Sequence, residues 1–220
     1  MPTDEQKQMR DALLDRYGQT YAAELGIDIE KNTPSPLFML LCASLLYSAR
    51  IRADAATQAL KALFAEGWTT PQKMADTTWE QRVKVLNANG YARYDESTSR
   101  MLGDTVDLLL SEYDGDLRKL REAAERKPSK ERRLLKGFTG IGDVGVNIFF
   151  REAQLAWPEL YPFADKAALT AAKRLGLGET TESLAGMVDR EDFPRLVAAL
   201  VRVHLAKAYD DIAAVAAPQD

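Results

Sequence analysis

LLKGFTGIGDVGVNIFFREAQLAWPELYPFADKAALTAAKRLGL, residues Leu134 to Leu177, sets a glycine-dense turn between two apolar helical runs and then delivers a lone aspartate. Gly137, Gly140, Gly142 and Gly145 crowd one turn, and glycines at that density mark a backbone that must reach positive φ or lie very close to a neighbour. Ile141, between two of them, is the apolar plug that two packed helices need. After Pro158 and Pro162 break the chain, Phe163-Ala164-Asp165 leads into a further helical run, so Asp165 stands at a helix N-terminus. A turn whose backbone amides can hold a phosphate, followed by one carboxylate, is the chemical content of this stretch. Read locally, two plainer accounts stand beside it: a short glycine connection between helices, and an aspartate that only caps.

Working outward, the periodicity predicts helices almost throughout. Thr3 to Leu25 reads as one amphipathic helix ended by Gly26, and Lys31 to Pro36 as a linker with two proline stops. Pro36 to Ser48, Ala53 to Ala65, Pro71 to Ala75, Thr78 to Asn87 with Gly90 behind it, Asp95 to Tyr113, and Leu117 to Arg126 follow. The hairpin lies between Lys130 to Lys136 and Val144 to Trp157. Lys166 to Leu175 and a last helix over Phe193 to Ala214 complete the chain. Two-residue alternation is nowhere sustained, so the expected class is all-α.

Composition narrows the chemistry. At 220 residues, with 46% hydrophobic and 28% charged, the chain can bury a large core in one or two lobes. Its 29 basic and 33 acidic residues give a net charge of −4, so any nucleic-acid binding must be local rather than a basic coat. Cys42 is the only cysteine and lies in an apolar run; no intramolecular disulfide, thiolate zinc site or four-cysteine iron–sulfur cluster can be built from the chain. His204 is the only histidine, which excludes a serine triad and a histidine-rich metal site, and it reads as a surface or capping residue. The apolar runs Pro36 to Leu46 and Leu196 to Leu205 are too short or too interrupted to span a bilayer. With a polar, acidic N-terminus that does not read as a secretory signal, a cytoplasmic protein is expected, with no membrane partner.

The motifs in order resemble the helix-hairpin-helix DNA glycosylase superfamily, the group that includes endonuclease III, the adenine-specific mismatch glycosylase and the alkylpurine glycosylases. Its Leu-Pro-Gly-Val-Gly hairpin is matched by Phe138-Thr139-Gly140-Ile141-Gly142, and its Val-Asp-Thr-His segment by Ala164-Asp165-Lys166-Ala167. The closing Arg-Leu-Gly-Leu is matched by Arg174-Leu175-Gly176-Leu177. Upstream, Leu46-Tyr47-Ser48-Ala49-Arg50 resembles the family's Leu-Leu-Ser-Ala-Gln, and Gly90-Tyr91-Ala92-Arg93-Tyr94 its Gly-Tyr-Tyr segment. The likeness runs from Pro36 to Leu177.

That resemblance implies a two-lobed helical fold. Residues 31–157 would form a central domain with the helix-hairpin-helix at about 130–157, and residues 1–30 plus 158–220 a second domain. It implies a monomer acting on double-stranded DNA in base-excision repair, with Asp165 as the carboxylate that stabilises a cationic sugar while a flipped base departs. Gly140, Ile141, Gly142 and Gly145 would meet a phosphate, with Lys166 as a further contact, and Arg50 would fill the gap left by the flipped base. In relatives the hairpin carbonyls hold a monovalent cation, which assigns Lys136, Phe138 and Ile141 here. Tyr47, Tyr94 and Asp95 are candidates for the base pocket, although residues of these types are more often packing, capping or surface residues than contacts.

Three departures qualify the resemblance. Val144 stands where bifunctional members carry the lysine that forms a Schiff base, which points to a monofunctional enzyme without lyase activity. The cluster cysteines are missing, so no iron–sulfur cofactor is expected. Asp143 brings negative charge to a hairpin that would meet phosphate. The alternative of a different class is a non-catalytic DNA-binding protein of the same fold.

Overall fold

The computed structural model describes residues 2–216, and every regular element among them is helical. In chain order the α-helices are α1 (Asp4–Tyr17), α2 (Tyr21–Glu24), α3 (Pro34–Tyr47), α4 (Ala53–Ala65), α5 (Pro71–Ala75), α6 (Trp79–Leu86) and α7 (Asp95–Tyr113). Then come α8 (Leu117–Ala123), α9 (Pro128–Leu135), α10 (Asp143–Ala153), α11 (Lys166–Arg174), α12 (Thr181–Ala185), α13 (Phe193–Ala206) and α14 (Tyr209–Ala216). No helix among the described residues is long and apolar enough to cross a membrane.

The chain divides into two compact units. One is Leu25–Glu159; the other runs up to Glu24 and resumes at Leu160. The Leu25–Glu159 unit is built around α3, whose residues from Leu37 to Leu46 are buried on every side except at Met39. An apolar helix of that kind needs cover all round, which α4, α7, α8 and α10 supply. Pro34 and Pro36 sit in the first turn of α3, where a missing N–H costs nothing, so these prolines open the helix instead of stopping a preceding one. Cys42 is fully buried within it, and that burial pushes its thiol far up, so it is a packing group. In the other unit, α13 packs against α1 and α11, and α14 against α1.

Two expected helices are broken. The stretch Thr3 to Leu25 ends at Gly18, and Thr20 then caps a new turn by accepting from the Ala23 N–H at 3.1 Å. Phe193 to Ala214 breaks at Lys207, which adopts φ 56°, while the Ala208 N–H closes on the Val203 carbonyl at 3.1 Å. This is a Schellman closure formed without glycine, hence without its usual sequence signal. The helix α12, capped by Thr180, was not expected.

Candidate functional site

The hairpin is built by sterics as much as by hydrogen bonds. Phe138 and Ile141 point inward at 1% and 4% exposure, and the Ile141 N–H donates to the Phe138 carbonyl at 3.0 Å. Closing that turn puts Gly140 at φ 86°. A Cβ at Gly140 would lie 2.6 Å from both Leu45 Cδ1 and Met101 Sδ, and one at Gly145 2.9 Å from Ser48 Oγ. These two glycines let the hairpin settle onto the last turn of α3 and onto α7. Gly142 is the N-cap of α10 and offers no side chain to the first-turn amides. Those amides, together with the positive end of the helix dipole, make an edge with the chemistry that can accept an anion. Asp143 and Val144 at that edge are exposed, Val144 at 60%.

Charge at the hairpin is balanced internally. Lys136 Nζ lies 3.1 and 3.0 Å from the two carboxylate oxygens of Asp143, with Arg132 Nη1 3.6 Å away. Lys136 first, then Arg132, hold the Asp143 carboxyl below the usual range. Arg132 also donates to Asn147 Oδ1 at 2.9 Å and stacks over Phe150 at 5.0 Å, which stitches α9 to α10. The negative charge that the sequence sets against a phosphate is thus already paired.

Tyr47, Arg50, Tyr94 and Asp95 belong to the same unit as the hairpin. Arg50 is exposed in the loop after α3, and its carbonyl accepts from Tyr94 Oη at 3.4 Å. Arg93, unassigned by the sequence motifs, stacks over the Tyr94 ring at 5.3 Å. Tyr47 Oη pairs with Thr57 Oγ1 at 2.7 Å. Asp95 is buried at 7% exposure, takes Asn87 Nδ2 at 2.6 Å and the Glu96 N–H at 2.7 Å, and so performs a structural task at the start of α7. Tyr91, fully buried and donating to the Leu46 carbonyl at 2.8 Å, is pushed up to about 12 by burial.

Asp165 and Lys166 lie in the unit that runs up to Glu24 and resumes at Leu160. Asp165 is half-buried at the N-cap of α11, where its Oδ1 accepts from the Ala168 N–H at 3.1 Å. Lys166 is exposed at the first position of that helix. The Arg174-Leu175-Gly176-Leu177 motif is the stop of α11: Gly176 takes φ 72°, and the Leu177 N–H closes on the Ala172 carbonyl at 2.9 Å. Among the described residues no cluster of His, Cys, Asp and Glu is arranged to hold a metal ion. His204 pairs through Nδ1 with Tyr209 Oη at 2.7 Å. An anion edge on one unit and a carboxylate at a helix N-terminus on the other are what the chain offers chemically.

No family model and no curated protein matches the sequence. A solved structure of endonuclease III, trapped as a covalent intermediate with DNA in an estranged-adenine complex, is similar at 19% identity and a TM-score of 0.50. The match covers 92% of this chain and 86% of that one. The chain therefore has the all-α fold of endonuclease III.

Proposed function

We propose that this chain is a monofunctional DNA glycosylase that releases a damaged or mismatched base. The observation that carries this reading is Asp165 at the N-cap of a helix beyond the hairpin, within a chain that shares the endonuclease III fold over most of its length. Backbone amides around Gly140, Gly142 and Gly145 hold a phosphate of double-stranded DNA, Arg50 occupies the gap in the base stack, and Lys166 adds a phosphate contact. As the N-glycosidic bond breaks, its electron pair leaves with the base and positive charge develops on the sugar. The Asp165 carboxylate stabilises that cation and orients the water whose oxygen joins C1′, while the water's proton goes to the departing base.

Hydrolysis fits the residue at the hairpin mouth. Val144 carries no amine, so no Schiff base forms there. A monovalent cation would sit on the backbone carbonyls of Lys136, Phe138 and Ile141. These are neutral, hard oxygen donors, and the Phe138 oxygen keeps a lone pair beyond its bond to Ile141. Such an ion would stiffen the turn that presents the amides.

A second reading, DNA binding without excision, is favoured by Asp165's use as a helix cap and by the net charge of −4. Duplexes carrying uracil, an oxidised pyrimidine, an alkylpurine or a mismatch separate the two: base release from one of them supports the glycosylase, and binding without release from any supports the second reading. Borohydride added during turnover should trap no covalent adduct; an adduct would implicate another lysine, such as Lys136 or Lys166, and overturn monofunctionality.

A further inference from the structure

Helix α9 carries Lys130, Glu131, Arg132 and Arg133, and of these Glu131 is the one taken wholly inside, with 0% of its surface exposed. Neither of its carboxyl oxygens receives an N–H or O–H from a described residue. The polar group within hydrogen-bonding reach is Glu159, another carboxylate. Glu159 is in turn gripped by Arg121 of α8, whose Nε and Nη2 donate to its two oxygens at 2.5 and 2.6 Å with both side chains largely buried. The Arg121 guanidinium lies over the ring of Trp157 at 5.4 Å, and Trp157 meets Phe149 of α10 edge-on at 5.3 Å. Two acceptors in contact are joined only by a proton between them. One guanidinium, moreover, cannot balance two buried carboxylates.

We propose that Glu131 and Glu159 share one proton and, with Arg121, form a buried clasp that positions the first hairpin helix for gripping DNA. The positioning role rests on the DNA-binding reading above; the shared proton does not. Burial first, then the bond to and charge of Glu159, push the Glu131 carboxyl up to about 8, against the opposing pull of Arg121. Against its own burial, Glu159 is held below the usual range by Arg121. The charged groups facing Glu131 are Arg121 from α8, with Glu122 beyond it, and Glu159 from the turn after Trp157. On the α10 side, Asn147 and Asp143 are engaged by Arg132 and Lys136. Because the folded value of Glu131 is raised, its stabilising contribution is complete below the ordinary glutamate value and is lost as pH rises through about 8. Above that, Glu131 and Glu159 are both charged and repel.

The test has one arm without DNA and one with it. In the carboxyl-carbon NMR spectrum of the wild-type protein, one glutamate should titrate with a midpoint near 8; if every glutamate titrates in the ordinary range, the shared proton is overturned. In the second arm, anisotropy of a fluorescein-labelled duplex is followed at constant ionic strength. Wild-type affinity should fall about ten-fold between about pH 6.5 and about pH 9, while Glu131→Gln, whose amide donates to Glu159 at every pH, should change by less than about two-fold. Equal wild-type affinity at both pH values, with the glutamate titrating near 8, would overturn the positioning role. Absence of duplex binding at any pH, with that same titration, would overturn the DNA-binding reading and leave the shared proton standing. Should Glu131→Gln not fold, the wild-type titration and its pH profile decide the matter alone.

Discussion

Lys136 and Asp143 face each other across the hairpin, the lysine Nζ 3.1 and 3.0 Å from the two carboxylate oxygens. The pair is exposed and screened by solvent, so its weight lies in what it presents to a ligand more than in stability. Asp143→Asn should free Lys136 for a phosphate, tighten duplex binding, and steepen the dependence of log K on log salt by about one unit. Titrations at several salt concentrations measure both quantities, and an unchanged slope would place Lys136 away from the DNA.

Gly140 at φ 86° carries the hairpin turn, and its missing Cβ leaves room for Leu45 and Met101. Gly140→Ala adds left-handed backbone strain and pushes aside two side chains whose ends can move, for a loss of about 1–3 kcal/mol. Urea unfolding checks this. Stability equal to wild type would mean that the turn relaxes to negative φ.

Asp95 is buried at the start of α7 and accepts from Asn87 Nδ2 and from the Glu96 N–H, so Asp95→Ala should cost about 1–3 kcal/mol through the loss of these two bonds to a carboxylate. Base release per folded molecule should stay within about two-fold if the residue only holds the helix start. A large loss of turnover with unchanged stability would return Asp95 to the base pocket.

What the sequence disclosed follows from how each element is signalled. The helices were legible because their apolar residues recur at helical spacing and prolines and glycines mark their ends; α3 and the α9–α10 hairpin are instances. The break at Lys207 was not legible, since a non-glycine residue adopts the left-handed turn. Glu131 reads as one more charge on a basic helix, yet it is four residues before Leu135 and seven before Phe138, both buried, so the apolar stripe passes through it. The balancing of Asp143 by Lys136 was hidden because the six residues between them include the whole turn. Asp165 was legible as a cap, and chemistry at that position came only from the family resemblance.

Asparagine caps a helix as well as aspartate does, so Asp165→Asn should keep the Ala168 bond and leave stability within about 0.5 kcal/mol of wild type. It removes the one charge proposed to meet the cationic sugar. The most direct measurement is single-turnover base release by wild-type protein and Asp165→Asn, on whichever lesion duplex the wild type processes, with duplex affinity followed in parallel. Release by the variant should be slowed by at least about a hundred-fold with affinity nearly unchanged; release at the wild-type rate would mean that the Asp165 carboxylate is not the group that stabilises the cationic sugar.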